Sequence, residues 1–247
     1  MTYPRSIALQ IMFIWFSIVL LMPGGIAAQE SPRDAIWRED YIAAVPPILM
    51  QDPFLELYGQ VDQPVPYYYS DAVKMAGHSC GAVAGAWTIT RKALRTLYPD
   101  ATPVRGHIRV TMPGAEDEWF IGVFGRVISL ITGAEAKTGF PGAEFGDAYN
   151  RRNLMVYTDT SQGTPPPKMQ WIFERIDTRQ KVAVRFDLTK VQPPATPTFR
   201  EMSTQVATGK ASAEDAAQWR QDWNERVRFI FKNADTLPGL FTVTPMK

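Results

Sequence analysis

Cys80 is the only cysteine in a chain of 247 residues. No internal disulfide can form, so the fold has to rest on its hydrophobic core, and 45% hydrophobic residues at this length supply one. The N-terminus makes that constraint matter more. Arg5 precedes an almost wholly apolar run from Ile7 to Met22, which Pro23-Gly24-Gly25 breaks ahead of Ile26-Ala27-Ala28. This is the pattern of a secretory signal, 1–28, with cleavage after Ala27 or Ala28. The apolar run is short for a membrane anchor, which needs roughly 20 residues, and no cysteine follows it to carry a lipid. The expectation is therefore a periplasmic or secreted protein with no stable membrane association after cleavage. In an oxidising compartment a lone thiol is a liability unless it is buried, metal-bound or used.

That thiol has a neighbour. Gly77-His78-Ser79-Cys80-Gly81 places one of only two histidines a single residue from the only cysteine. Imidazole and thiolate are the ligands that zinc, nickel and copper favour. The same pair also describes a reactive thiol with His78 as its base. A third reading is a buried small side chain beside a turn histidine. The start of a helix stabilises an anion, so Cys80 is expected to ionise more readily than a free cysteine.

The elements read as follows. Residues 34–43 suggest a short helix, and Pro46-Pro47 and Pro53 lie in the irregular N-terminal arm that follows, the whole arm spanning 29–66. Ser70 or Asp71 caps a short helix that Gly77 stops. Val83, Trp87, Thr90, Leu94 and Leu97 recur at three- and four-residue spacing, the clearest helix of the chain, and Gly81 and Gly85 leave it a bare face for close backbone packing. Ile108, Val110 and Met112 alternate as a strand. Phe120, Phe124, Val127 and Ile131 make a second helical stripe closed by Gly133, and 153–157 read as a short strand. Residues 169–176 and 181–188 form a hairpin in which Val182, Val184, Phe186 and Leu188 share a face. Pro165-Pro166-Pro167 is an exposed connection and 192–197 a proline-rich linker. A terminal helix begins near Ser212, striped by Trp219, Trp223, Val227 and Ile230. Helices and strands mix without strict alternation, so the class is α+β: a mixed or antiparallel sheet packed by helices, plus a C-terminal helix. With 26 basic and 25 acidic side chains, nothing in the charge balance favours nucleic acid or an anionic membrane.

Three blocks of the sequence resemble the FmdE-like family, named for a component of formylmethanofuran dehydrogenase. They are Gly77-His78-Ser79-Cys80 with the small-residue helix through Ala84-Gly85-Ala86, then Val127 to Gly133, then Arg151-Arg152-Asn153-Leu154. Together they span about residues 70 to 190. The resemblance implies an FmdE-like domain over 67–191, with 192–247 as linker and C-terminal helix packing on it. It also implies metal-ligand roles for His78 and Cys80. Gly81-Ala82 stands where the family usually has Pro-Gly, and Val123 and Ala134 fall about where many members have further cysteines.

The expected cofactor is a transition metal, zinc, held by His78 and Cys80 at a helix N-terminus. Two ligands do not complete a zinc site, which has four, or three and a water. Asp117 and Glu118, in the acidic run Glu116-Asp117-Glu118, are the candidate additional ligands, with His107 as another. Arg151 and Arg152 are candidates for holding a carboxylate or other anion. Two other functions stay open. One is an enzyme using the Cys80 thiolate or a metal-bound water on a small substrate. The other is a non-catalytic interaction protein docking through the terminal helix. The expected partners are a small molecule or a metal ion, and the sequence is compatible with a homo-oligomer.

Overall fold

A computed structural model describes residues 36–143, 146, 149–158 and 169–246. The signal segment 1–28, the arm up to residue 35 and the Pro165-Pro166-Pro167 connection lie outside the described residues. Residues Trp37–Lys247 form one compact unit.

Along the chain the elements are α1 (Tyr41–Ala44), β1 (Ile48–Met50), α2 (Pro53–Leu57), β2 (Val65–Tyr67) and α3 (Tyr69–Ala76). The longest helix of the first half, α4 (Gly81–Leu97), follows, and then β3 (Ile108–Met112), α5 (Trp119–Thr132) and β4 (Met155–Tyr157). The hairpin β5 (Gln170–Arg175) and β6 (Lys181–Phe186) leads to α6 (Pro197–Ala207), α7 (Ala213–Asn233) and β7 (Phe241–Met246). Local chemistry sets several of the ends. The Asp71 carboxylate accepts the Tyr68 N–H at 2.9 Å at the start of α3, and Gly77 closes it at φ 73°. Gly133 closes α5 at φ 68°, and the Ser212 hydroxyl accepts the Asp215 N–H at 3.0 Å to open α7.

Five strands form one mixed sheet in the order β4-β3-β5-β6-β7, with β3 and β4 parallel and the other pairs antiparallel. A separate antiparallel pair, β1 with β2, aligns Ile48 with Tyr67. The fold is α+β, as the mixture of periodicities implied. Helix α4 packs against the sheet at β5, β6 and β7 and against α3, α5 and α7. Twelve of its side chains or glycines are buried, among them Trp87, Ile89 and Leu94. The Phe124 ring of α5 stacks on Trp171 of β5 at 4.2 Å, and Phe186 of β6 on Phe241 of β7 at 4.6 Å. Among the described residues no helix is long and apolar enough to cross a membrane.

Several expectations need correcting. Of the helix expected over 34–43, the described residues form only the single turn α1. The arm is not wholly irregular, since β1 pairs with β2 and Gln51 bridges to Val104. Leu188 does not continue the β6 face: the strand ends at Phe186 and the chain enters a 3-10 turn, where the Asp187 carboxylate accepts the Thr189 N–H at 3.1 Å. Residues 192–247 hold more than a linker and one helix. They add α6, opened by Thr196 and Pro197, and β7, which completes the sheet. β7 carries Pro245 opposite Val182, which a central strand would not tolerate; as the last strand of the sheet it needs no second ladder.

Gly85 has the bare face expected of it, but aromatic rings rather than a backbone fill it. A Cβ there would stand 2.7 Å from Cδ1 of Phe186 and 3.2 Å from Cζ of Phe124. At Gly81 the nearest atoms would be Ile230 Cδ1 at 3.6 Å and Leu188 Cδ2 at 3.8 Å, ordinary contact. Gly85→Ala is therefore expected to lower the unfolding free energy by about 1–3 kcal/mol through overpacking. Gly81→Ala should stay within about 0.5 kcal/mol of the parent. Paired urea titrations of the two variants measure the difference.

Candidate functional site at the head of helix α4

The turn between α3 and α4 sends its side chains to opposite sides. Gly77 ends α3 in the left-handed region, which frees the chain to reverse. Ser79 then points inward: its hydroxyl bonds the Tyr69 hydroxyl at 2.7 Å, and its carbonyl accepts the Trp223 indole N–H at 2.7 Å. Both partners are large side chains on other helices, so the turn is held at two points. His78 and Cys80, flanking Ser79, come to the wall of one pocket.

His78 is exposed, and its Nδ1 lies 3.0 Å from the Ala76 carbonyl. A carbonyl only accepts, so Nδ1 carries a proton, and in the neutral ring the lone pair then sits on Nε2. That is the arrangement by which a backbone carbonyl orients a ligating histidine. Cys80 is the N-cap of α4 and only 6% exposed. Burial pushes its thiol pKa up, against a smaller opposite pull from the Val83 and Ala82 amides. The expectation of an easily ionised Cys80 is corrected on this point. The helix end offers its amides, but no side-chain cap hydrogen bond forms, and the loss of water around the sulfur outweighs them.

The pocket encloses about 460 Å³, within the range of small-molecule sites. Trp119 and Phe120, at the start of α5, form one wall, and Phe199 of α6 and Trp223 of α7 another. Arg200 and Arg226 complete it. Trp119 is 77% exposed at the edge. Phe199, Arg200 and Arg226 are not among the residues singled out from the sequence. α6 had a signal, a Thr196 hydroxyl accepting the Phe199 N–H at 3.1 Å ahead of a proline in the first turn. Its pairing with α7, by contrast, is tertiary. Trp219 and Trp223 are used within the chain: the Trp219 indole donates to the Ser203 hydroxyl at 2.9 Å, and Phe199 stacks against both indoles.

The remaining candidates are not brought to this pocket. Glu118 turns back on its own loop, its carboxylate accepting the Ala115 N–H at 3.0 Å. Asp117 is exposed, and Glu116 lies 3.9 Å from Arg126. His107 precedes β3, with its Nε2 buried and without a hydrogen-bond partner among the described residues. Among the described residues no group of three or more His, Cys, Asp or Glu side chains is placed to hold a metal ion. The donor types of His78 and Cys80 fit a soft or borderline metal, but their number does not fit a resident tetrahedral zinc.

Arg151 does hold a carboxylate, but it is one of this chain's own. Its Nη2 lies 3.1 Å from Asp52, and both side chains are 3% exposed. Arg105 approaches the other Asp52 oxygen at 3.2 Å. The anion-binding role expected of Arg151 is thus taken up internally, at the start of α2. Arg152 is exposed, and its backbone N–H donates to the Asn150 side chain at 2.9 Å.

Two measurements follow from this geometry. Iodoacetamide labelling of Cys80 should stay slow at neutral pH and rise only above the ordinary thiol range of about 8.5. Half-maximal labelling near pH 7 would contradict the buried thiol. Asp52→Ala strands Arg151 in the interior and should cost about 3–5 kcal/mol in urea unfolding, whereas Asp117→Ala should change stability by less than about 0.5 kcal/mol. No family profile matches this chain and no curated protein matches it significantly, so the FmdE-like resemblance rests on the chain's own residues.

Proposed function

We propose that this is an exported, FmdE-like ligand-binding protein whose working site is the pocket at the head of α4. His78 and Cys80 serve there as the chain's two donors to a transition metal, zinc in the first instance. The observation that carries the reading is the juxtaposition of the pair. His78, with Nε2 left as an acceptor, and Cys80 line the same small-molecule-sized pocket. With only two protein donors, the metal's other positions belong to water or to the bound small molecule. The ion is then taken together with a ligand rather than locked in as a structural staple. Burial keeps Cys80 protonated until a metal displaces its proton, so uptake releases a proton and strengthens as pH rises.

The competing reading, catalysis by a free Cys80 thiolate, has less support. The thiol pKa is raised, and the Asp71 carboxylate, which a Cys-His catalyst would need to orient His78, is engaged at the Tyr68 N–H. The test is zinc binding to the full, chelator-treated protein, followed by calorimetry between pH 6 and 8. Wild type is expected to bind one equivalent, more tightly at the higher pH. His78→Asn and Cys80→Ser are each expected to weaken binding at least about tenfold, as even loss of a ligand's supporting hydrogen bond does. Wild-type protein that takes up no zinc, copper or nickel, or variants that bind as well as wild type, would overturn the reading.

A further inference from the structure

We infer that the pocket at the head of α4 selects a flat organic anion: an aromatic or conjugated body lying between the indole and phenyl walls, with its carboxylate or similar acid group against Arg226 and Arg200. This deepens the proposed function and rests on its reading that this pocket is the working site, since it names the class of small molecule the site takes.

The charge around the pocket is one-sided. None of the residues lining it is acidic, while two of them are arginines. Arg226 is half-buried, donates through Nη1 to the Pro193 carbonyl, and lies with its guanidinium 5.5 Å over the Phe199 ring. Burial pushes the Arg226 pKa down, and the positive charge of Arg200 adds to the shift. Among the described residues no carboxylate pairs with either guanidinium, which leaves both charges to an anion that enters the pocket. The neighbouring carboxylates are placed elsewhere. Glu225, next to Arg226, lies 3.5 Å from the Arg228 guanidinium, Glu201, next to Arg200, is exposed, and Asp215 and Asp222 of α7 line a separate groove with Trp219 and Pro194. The same helix pair thus contributes to a pocket with two arginines and to a separate groove with two aspartates.

The shape of the walls narrows the ligand further. Trp119, Phe120, Phe199 and Trp223 offer ring faces and edges, which favour a flat body over a branched one. A planar guanidinium pairs with a carboxylate in a two-pronged geometry that an amide or an amine cannot reproduce. One wall is also lightly anchored. α6 has no buried residue and packs chiefly on α7, so Phe199 and Arg200 can adjust to the body that enters.

The test uses 2-naphthoate, its neutral counterpart 2-naphthamide, and acetate, with full-length protein freed of metal by chelation. Binding is read by calorimetry and by quenching of tryptophan fluorescence. Naphthoate is expected to bind at least about tenfold more tightly than naphthamide, since a charge-assisted pair is worth about 1.5–3 kcal/mol. Acetate, an anion with no body, should bind far more weakly than naphthoate. Arg226→Gln and Arg200→Gln should each reduce the preference for naphthoate over naphthamide. Arg200 is exposed, so its variant is read even if Arg226→Gln disturbs the Pro193 loop. Equal binding of naphthoate and naphthamide, no binding of naphthoate, or a preference that survives both substitutions would overturn the inference. Zinc uptake separates this from the proposed function. Naphthoate failing while zinc binds removes only the anion reading. Zinc failing while the charge preference holds removes only the metal reading.

Discussion

The close approach of Phe186 to Gly85 is the contact on which the arrangement depends. α4 runs across the sheet and is enclosed by α3, α5 and α7, which is feasible only if its sheet-facing side is nearly flat. Gly85 provides that flatness, and the Phe186 and Phe124 rings fill the space a side chain would have taken. Phe186 in turn stacks on Phe241, and Phe124 on Trp171. One missing Cβ thereby couples the helix to three strands. In a chain with no disulfide, this packing does the work that cross-links do elsewhere.

The position of the site follows from how α4 is held. Its first turn has to emerge beside α5 and α7, because those helices flank it. The segment that enters it is fixed by Ser79, through Tyr69 on one side and the Trp223 indole on the other. With Ser79 committed inward, His78 and Cys80 are left at the pocket wall. The buried cluster of Asp52 with Arg105 and Arg151 acts separately. It ties the N-terminal arm to the loops around β3 and α5, with Gly106 and Gly133 leaving room for the Arg151 guanidinium. Two arginines on one carboxylate make a positively charged interior knot, and Arg151 Nε and Nη1 remain buried without partners among the described residues. Such a knot is costly to break at Asp52, whose removal strands both arginines.

Local signals were legible wherever a helix carried its own stripe and stops. α4, α5 and α7 ran close to their expected limits because apolar spacing, Gly133 and the Ser212 cap are written into adjacent residues. The β5–β6 hairpin was equally readable from alternation. Other features were not. α6 is weakly apolar and buries no residue, so its stripe gives little sign beyond Thr196 and Pro197. β7 has only Phe241 and Val243 before Pro245 and owes its place to pairing with β6. The missed residues of the pocket, Phe199, Arg200 and Arg226, lie on or against those late elements.

The sequence by itself determined that His78 and Cys80 stand together at the start of a well-defined helix, because two residues in one turn cannot be far apart. It also determined the α+β class, since periodicity is a local property of the chain. Only the tertiary structure decided the environment of the pair. It set Cys80 out of water, so that its thiol holds its proton instead of losing it to the helix end. It kept Asp117 and Glu118 away, turned Arg151 onto Asp52, and brought Arg200 and Arg226 to the pocket instead. Burial and charge partners depend on which distant segments pack together, and no spacing along the chain records that.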